Sequence, residues 1–151
     1  AGPLKTIPQL TEPFLLINCD VLTTLSFRKL WEFHTATDSL LTVAVQQKPI
    51  PIEFGVLEID GDRIVGFHEK PVHHACVNMG VYVMDPEVLD YIPDKQYFDI
   101  PDLIHALLAA QKPVKCYENE ALWIDVGRPA DLTKANELYP RWKEHLLAGE
   151  G

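Results

Sequence analysis

The chain has 151 residues, 47% of them hydrophobic, with a net charge of −9 and an isoelectric point near 5.0. That is enough chain for one domain with a full core, and an acidic balance with scattered Lys and Arg disfavours non-specific nucleic-acid binding, which needs a basic face. No apolar run approaches the roughly 20 residues that span a bilayer, and no basic start with a long apolar stretch marks a signal peptide, so a cytoplasmic globular protein is expected.

Residues 14–19 form an apolar run too short for a core helix and suited to a buried strand, with Asp20 at its carboxyl end. Ser26 is placed to cap a helix whose apolar face is Phe27, Leu30, Trp31 and Phe33. Residues 40–45 read as a second strand, and Lys48-Pro49-Ile50-Pro51 as a loop, because two prolines lack donors and fix φ. Residues 55–59 and 63–67 flank Asp60-Gly61-Asp62 as a β-hairpin. Residues 77–84 read as a strand, Asp85-Pro86 as a capped helix start, and Asp99-Ile100-Pro101 as the start of a helix carrying Leu103, Ile104, Leu107 and Leu108 on one stripe. Residues 114–117 and 122–126 are late strands, and Pro129 opens a last helix that Pro140 should kink or split. The alternation predicts a single α/β domain over 1–151, with a mixed, mostly parallel sheet flanked by helices and antiparallel pairing contributed by the hairpin.

Asp20 and Asp125 each stand at the end of an apolar strand. Alone, either reads first as a capping or turn residue. Two such strand ends in one α/β domain point to a hard cation held over a phosphate-bearing ligand, because Mg²⁺ takes oxygen donors and ligands gather at strand carboxyl ends. In Glu69-Lys70-Pro71 the proline should hold Lys70 extended, sending the acid and the base to opposite faces, one toward a sugar hydroxyl and the other toward a phosphate. A solvated strand end is the plainer reading. Gly80, inside a strand, and Gly55 suggest close approach by a ligand or another backbone, with a bulge or tight bend as the alternative. His68, His73, His74 and Cys76 fit no zinc spacing, Cys19 and Cys116 read as buried small hydrophobes, and all three cysteines as free thiols of a reducing compartment.

Five ordered segments together resemble the sugar-1-phosphate nucleotidyltransferase family. These are the strand ending at Asp20, the Phe54-Gly55-Val56-Leu57-Glu58 segment, Glu69-Lys70-Pro71, Asn78-Met79-Gly80-Val81-Tyr82, and Trp123-Ile124-Asp125-Val126-Gly127-Arg128-Pro129. The resemblance implies a Rossmann-like nucleotide-diphospho-sugar transferase fold, with Asp20 and Asp125 binding Mg²⁺. It further implies Glu69 and Gly80 on sugar hydroxyls, Lys70 on the sugar phosphate, and Gly55 and Asn78 lining the sugar pocket. The implied reaction transfers a nucleoside monophosphate to a sugar-1-phosphate with release of pyrophosphate. Ile50-Pro51-Ile52-Glu53-Phe54-Gly55 and Tyr97-Phe98-Asp99-Ile100-Pro101-Asp102-Leu103 look most like the mannose- or heptose-1-phosphate guanylyltransferase branch, so GTP is the expected donor.

Two features depart from that pattern. The glycine before the metal aspartate is Cys19, and the family's opening strand and glycine-rich triphosphate loop do not occur in this sequence. The expectation is therefore the C-terminal two-thirds of a nucleotidyltransferase domain, truncated at the N-terminus. An inactive sugar-phosphate-binding or assembly fragment is the alternative, and homo-oligomers are expected to cover an exposed sheet edge. A glycosyltransferase is disfavoured because no D-x-D pair lies near Asp20.

Overall fold

Strand and helix propensities resolve into eleven elements in the computed structural model, which describes residues 1–8, 10–127 and 129–147. In chain order they are β1 (Phe14–Ile17), β2 (Val21–Thr23), α1 (Phe27–Ala36), β3 (Leu41–Pro51), β4 (Val56–Asp60), β5 (Arg63–His68), β6 (Val72–Met84), α2 (Ile100–Ala109), β7 (Val114–Glu118), β8 (Trp123–Asp125) and α3 (Pro129–Leu147). Short 3-10 turns lie at Gly2–Thr6 and Pro86–Tyr91. The central sheet has the order β1-β6-β3-β7, while β2-β8 and β4-β5 form two-stranded sheets of their own.

Alternation along the two central strands builds a core on each face of that sheet. Leu41, Val43 and Val45 of β3 and Tyr82 and Met84 of β6 pack with Val88, Ile92, Leu103 and Leu107. Ala44, Val81 and Val83 point the other way and pack with Leu25, Leu30 and Met79. In α1 the buried positions are Leu30 and His34, with Phe33 against Tyr117 at 5.3 Å between ring centroids. Phe27 and Trp31, expected on the apolar face, remain 39% and 38% exposed. The buried His34 is satisfied by Thr42, with Nδ1 2.8 Å from Oγ1, and among the described residues no buried side-chain polar atom lacks a partner.

The expected mixed α/β sheet flanked by helices is present, with less parallel pairing than anticipated. Only β3-β7 is parallel, and β1-β6 and β3-β6 are antiparallel. The reason is that the chain reverses through the β4-β5 hairpin and returns along the whole of β3 as β6.

Lys48-Pro49-Ile50-Pro51 is not a loop but the end of β3, with Pro49 opposite His74 and Pro51 opposite Val72. The partner β7 stops at the level of Val45, so beyond that point β3 is an edge strand. Asn119 donates to the Val45 carbonyl, which puts odd-numbered residues on the β7 side. Both prolines thus aim their missing donors at the open edge, where no ladder bond is lost.

Helix starts follow local chemistry with one exception. Ser26 accepts from the Lys29 N–H at 3.2 Å, and Asp99 and Asp102 form a reciprocal capping box at α2. Asp99→Ala is expected to lower unfolding free energy by about 1 kcal/mol in a urea titration, since the cap satisfies a donor the helix itself leaves unpaired. Asp85 caps nothing: a 3-10 turn follows it, and its carboxylate lies 3.4 Å from His34 Nε2. In α2, Leu103 and Leu107 are buried while Leu108 is 55% exposed, and α3 continues through Pro140 without splitting.

Candidate active site

The β2-β8 pairing sets Val21 opposite Asp125, and the Asp20 carbonyl accepts the Val126 N–H at 2.8 Å. Asp20 and Asp125, remote in sequence, are thereby held side by side. Their carboxylates converge on Gly127: a Cβ at that residue would sit 3.0 Å from Asp125 Oδ1 and 3.2 Å from Asp20 Oδ2. The Gly127 N–H donates to Asp125 Oδ1 at 2.9 Å and fixes its orientation. Asp20 is half-buried and Asp125 exposed. Among the described residues neither carboxylate has an ion-pair partner, so two like charges converge on a residue, Gly127, that itself carries no side chain. A cation there relieves the repulsion.

Among the described residues no cluster of three or more His, Cys, Asp or Glu side chains is arranged to hold a metal. Mg²⁺ is commonly held by one or two carboxylates, with waters and substrate phosphates completing its shell, so two aspartates converging on a glycine fit that ion.

The second grouping surrounds Gly80. Opposite β6, β3 advances only from Val43 to Val45 while β6 runs from Tyr82 back to Asn78, so the intervening residues bulge. Gly80 takes φ +73°, a conformation that a Cβ opposes. Asn78 secures the bulge, accepting the Gly80 N–H on Oδ1 at 2.8 Å and donating through Nδ2 to the Tyr82 hydroxyl at 2.8 Å. Burial pushes the Tyr82 phenol up from its ordinary value, partly offset by that donated bond. Trp123 donates from Nε1 to the Met79 carbonyl at 2.8 Å, linking the strand that carries Asp125 to the bulge. Lys48 Nζ lies 5.2 Å over the indole ring.

Gly55, Glu69 and Lys70 form a third group at the base of the hairpin. A Cβ on Gly55 would meet the Phe67 ring at 2.8 Å and Glu69 Oε2 at 3.3 Å, so the glycine admits both side chains. Lys70 is not extended: its φ is +45°. The chain must turn sharply there so that the Pro71 carbonyl can accept the Ile52 N–H at 3.0 Å and β6 can begin alongside β3. The expected opposite-face geometry of Glu69 and Lys70 therefore does not hold. No hydrogen bond or ion pair among the described residues joins this group to the carboxylate pair.

Cys19 and Cys116 are exposed, as is Cys76, so the first two are not core residues. Cys19 lies in the turn after β1, and β7, which carries Cys116, is an edge strand. Arg128 of the last motif lies outside the described residues. Sequence reasoning passed over three residues at this place. Gly127 and Trp123 stood in a quoted motif without a role, and Asn18, whose side chain lies against Gly80, was read only as part of a strand.

The nucleotidyl transferase family model matches residues 4–141. The chain belongs to that family. It is 32% identical over 148 residues to a mannose-1-phosphate guanyltransferase of Kluyveromyces lactis, an alignment covering 92% of this chain and 41% of that protein. It is also 32% identical over 163 residues to the mannose-1-phosphate guanylyltransferase catalytic subunit beta of Dictyostelium discoideum, covering all of this chain and 45% of the relative. The chain thus spans less than half the length of these curated relatives. Among solved structures, HddC from Yersinia pseudotuberculosis superposes with a TM-score of 0.59 at 27% identity, over 91% of this chain and 59% of that one. A Bacillus anthracis protein assigned as a glucose-1-phosphate thymidylyltransferase superposes with a TM-score of 0.63 at 23% identity, over 93% and 57%, and supports the fold alone. The nucleotide-diphospho-sugar transferase fold expected from the sequence is the fold observed.

Proposed function

We propose that this nucleotidyl transferase chain supplies the metal- and sugar-phosphate-binding part of an enzyme that moves GMP from GTP onto a sugar-1-phosphate of the mannose type. The observation that carries the reading is the convergence of the Asp20 and Asp125 carboxylates on Gly127, a residue with no side chain of its own. In this reaction a phosphate oxygen of the sugar-1-phosphate forms a bond to the α-phosphorus of the nucleotide, the α–β phosphoanhydride breaks, and pyrophosphate leaves. No protein nucleophile is required, and positioning with charge neutralisation carries most of the rate.

Asp20 and Asp125 are the residues that would hold Mg²⁺, which when bound supplies positive charge to the phosphates. Lys70 serves the sugar phosphate, while Glu69, Gly55 and Gly80 contact or make room for sugar hydroxyls. The choice of guanine rests on the relatives named above and on HddC, whose structure has also been determined with GMP-PN. A second reading, a binding or assembly unit without turnover, is favoured by one feature: Leu57, Ile59, Ile64 and Phe67 of the hairpin are 45–66% exposed, an apolar surface of the kind that association into homo-oligomers covers.

A thermal-shift titration with mannose-1-phosphate, GTP and GDP-mannose, each with and without Mg²⁺, tests the proposal. A ligand at 100 times its Kd adds about 2.7 kcal/mol, so a rise of roughly 5 °C or more is expected for GDP-mannose and mannose-1-phosphate with Mg²⁺. No rise with either sugar-containing ligand would overturn it.

A further inference from the structure

Resting on the proposed sugar-phosphate reading, we infer that Asn18 is a sugar-binding residue, its carboxamide recognising a ring hydroxyl from its place over Gly80, at the end of the strand that leads to Asp20. Asn18 extends β1 by one ladder bond, its N–H donating to the Gly80 carbonyl at 2.8 Å. Its side chain lies over Gly80: a Cβ on residue 80 would stand 2.7 Å from Asn18 Nδ2 and 3.0 Å from Cγ. The glycine is needed there for its φ of +73° and also for the space the carboxamide occupies.

The two asparagines around this bulge stand in different chemical states. Asn78 has both ends of its amide engaged, one by the Gly80 N–H and the other by the Tyr82 hydroxyl. Among the described residues Asn18 has no side-chain hydrogen bond, and it is exposed. A free carboxamide offers two donors and an acceptor on one rigid plane, which matches a hydroxyl that both gives and takes a proton. A fully ionised phosphomonoester only accepts, and so would use half of that capacity. Position agrees with chemistry: Asn18 is two residues before Asp20, and the Met79 carbonyl next to Gly80 is bonded to Trp123, two residues before Asp125. Asn78 is then the positioning residue that holds the bulge, and Asn18 the one that meets ligand.

Isothermal titration of the chain in saturating Mg²⁺ separates these roles, with mannose-1-phosphate and inorganic phosphate as the two probes. Asn18→Ala is expected to weaken mannose-1-phosphate by about three- to ten-fold, the effect of losing one ordinary hydrogen bond, with phosphate affinity and unliganded Tm unchanged. The near-isosteric Asn18→Leu keeps the packing on Gly80 while removing every hydrogen-bonding atom, and should weaken mannose-1-phosphate as much. Asn78→Ala should instead lower the unliganded Tm. If the unsubstituted chain binds mannose-1-phosphate and both Asn18 variants bind it equally well, or if they lose phosphate to the same degree, the sugar contact is overturned while the proposed function stands. If the unsubstituted chain does not bind mannose-1-phosphate, both fall together.

Discussion

Asp125→Asn is expected to weaken Mg²⁺-dependent binding of mannose-1-phosphate by on the order of 100-fold, with a matching loss of kcat/KM wherever turnover is measured. Its unliganded Tm should stay within about 2 °C of the parent. The separation follows from what the carboxylate does in the fold. Among the described residues its one hydrogen bond is accepted on Oδ1 from the Gly127 N–H at 2.9 Å, and an asparagine oxygen can accept the same bond. The side chain is exposed, so little packing depends on it. What asparagine cannot keep is the negative charge facing Asp20 across the gap. Removing it also removes the repulsion between the two carboxylates, so the apo protein is not destabilised while the attraction for a divalent cation falls. Gly127→Ala probes the same gap without altering charge, because its Cβ would press on Asp125 Oδ1 at 3.0 Å and Asp20 Oδ2 at 3.2 Å. If both variants bind mannose-1-phosphate with full Mg²⁺ dependence, the metal is held elsewhere.

What could be read from sequence was what short segments decide for themselves. Ser26 and Asp99 cap because a side-chain oxygen finds an N–H three residues on. The hairpin closes at Gly61, with Asp60 paired to Arg63, because glycine takes φ +62° there. Pro49 and Pro51 were misread because whether a proline breaks a strand depends on which edge is open, and that depends on where a distant β7 ends. Lys70 was misread for the same kind of reason: the local preference before Pro71 yields to a chain reversal set by the pairing of β6 with β3. Both aspartates were visible singly and through the resemblance, but Asp20 stands in the turn between β1 and β2, not at the carboxyl end of a strand running to residue 19, and its adjacency to Asp125 comes from the β2-β8 register, which no local pattern reports. Asn18 escaped notice because its distinction is the lack of a side-chain partner among the described residues, and such a lack has no signature in sequence.

Gly80→Ala should lower unfolding free energy by about 2–4 kcal/mol in a urea titration, a large share of the 5–15 kcal/mol typical of a domain. Two effects combine. A left-handed backbone at φ +73° opposes any Cβ, and this Cβ would also strike the Asn18 amide at 2.7 Å and Asn18 Cβ at 3.2 Å. Gly61→Ala isolates the first effect, since Gly61 has φ +62° with nothing within 4 Å of the added carbon, and about 1 kcal/mol is expected there. The excess at Gly80 measures the collision with Asn18. In a double-mutant cycle, Asn18→Ala should recover part of that excess, because it deletes the amide at 2.7 Å, but not all of it, because the Asn18 Cβ remains. Equal losses at Gly61 and Gly80 would mean that the Asn18 side chain swings clear at no cost, and that the two residues are not coupled as the bulge geometry requires.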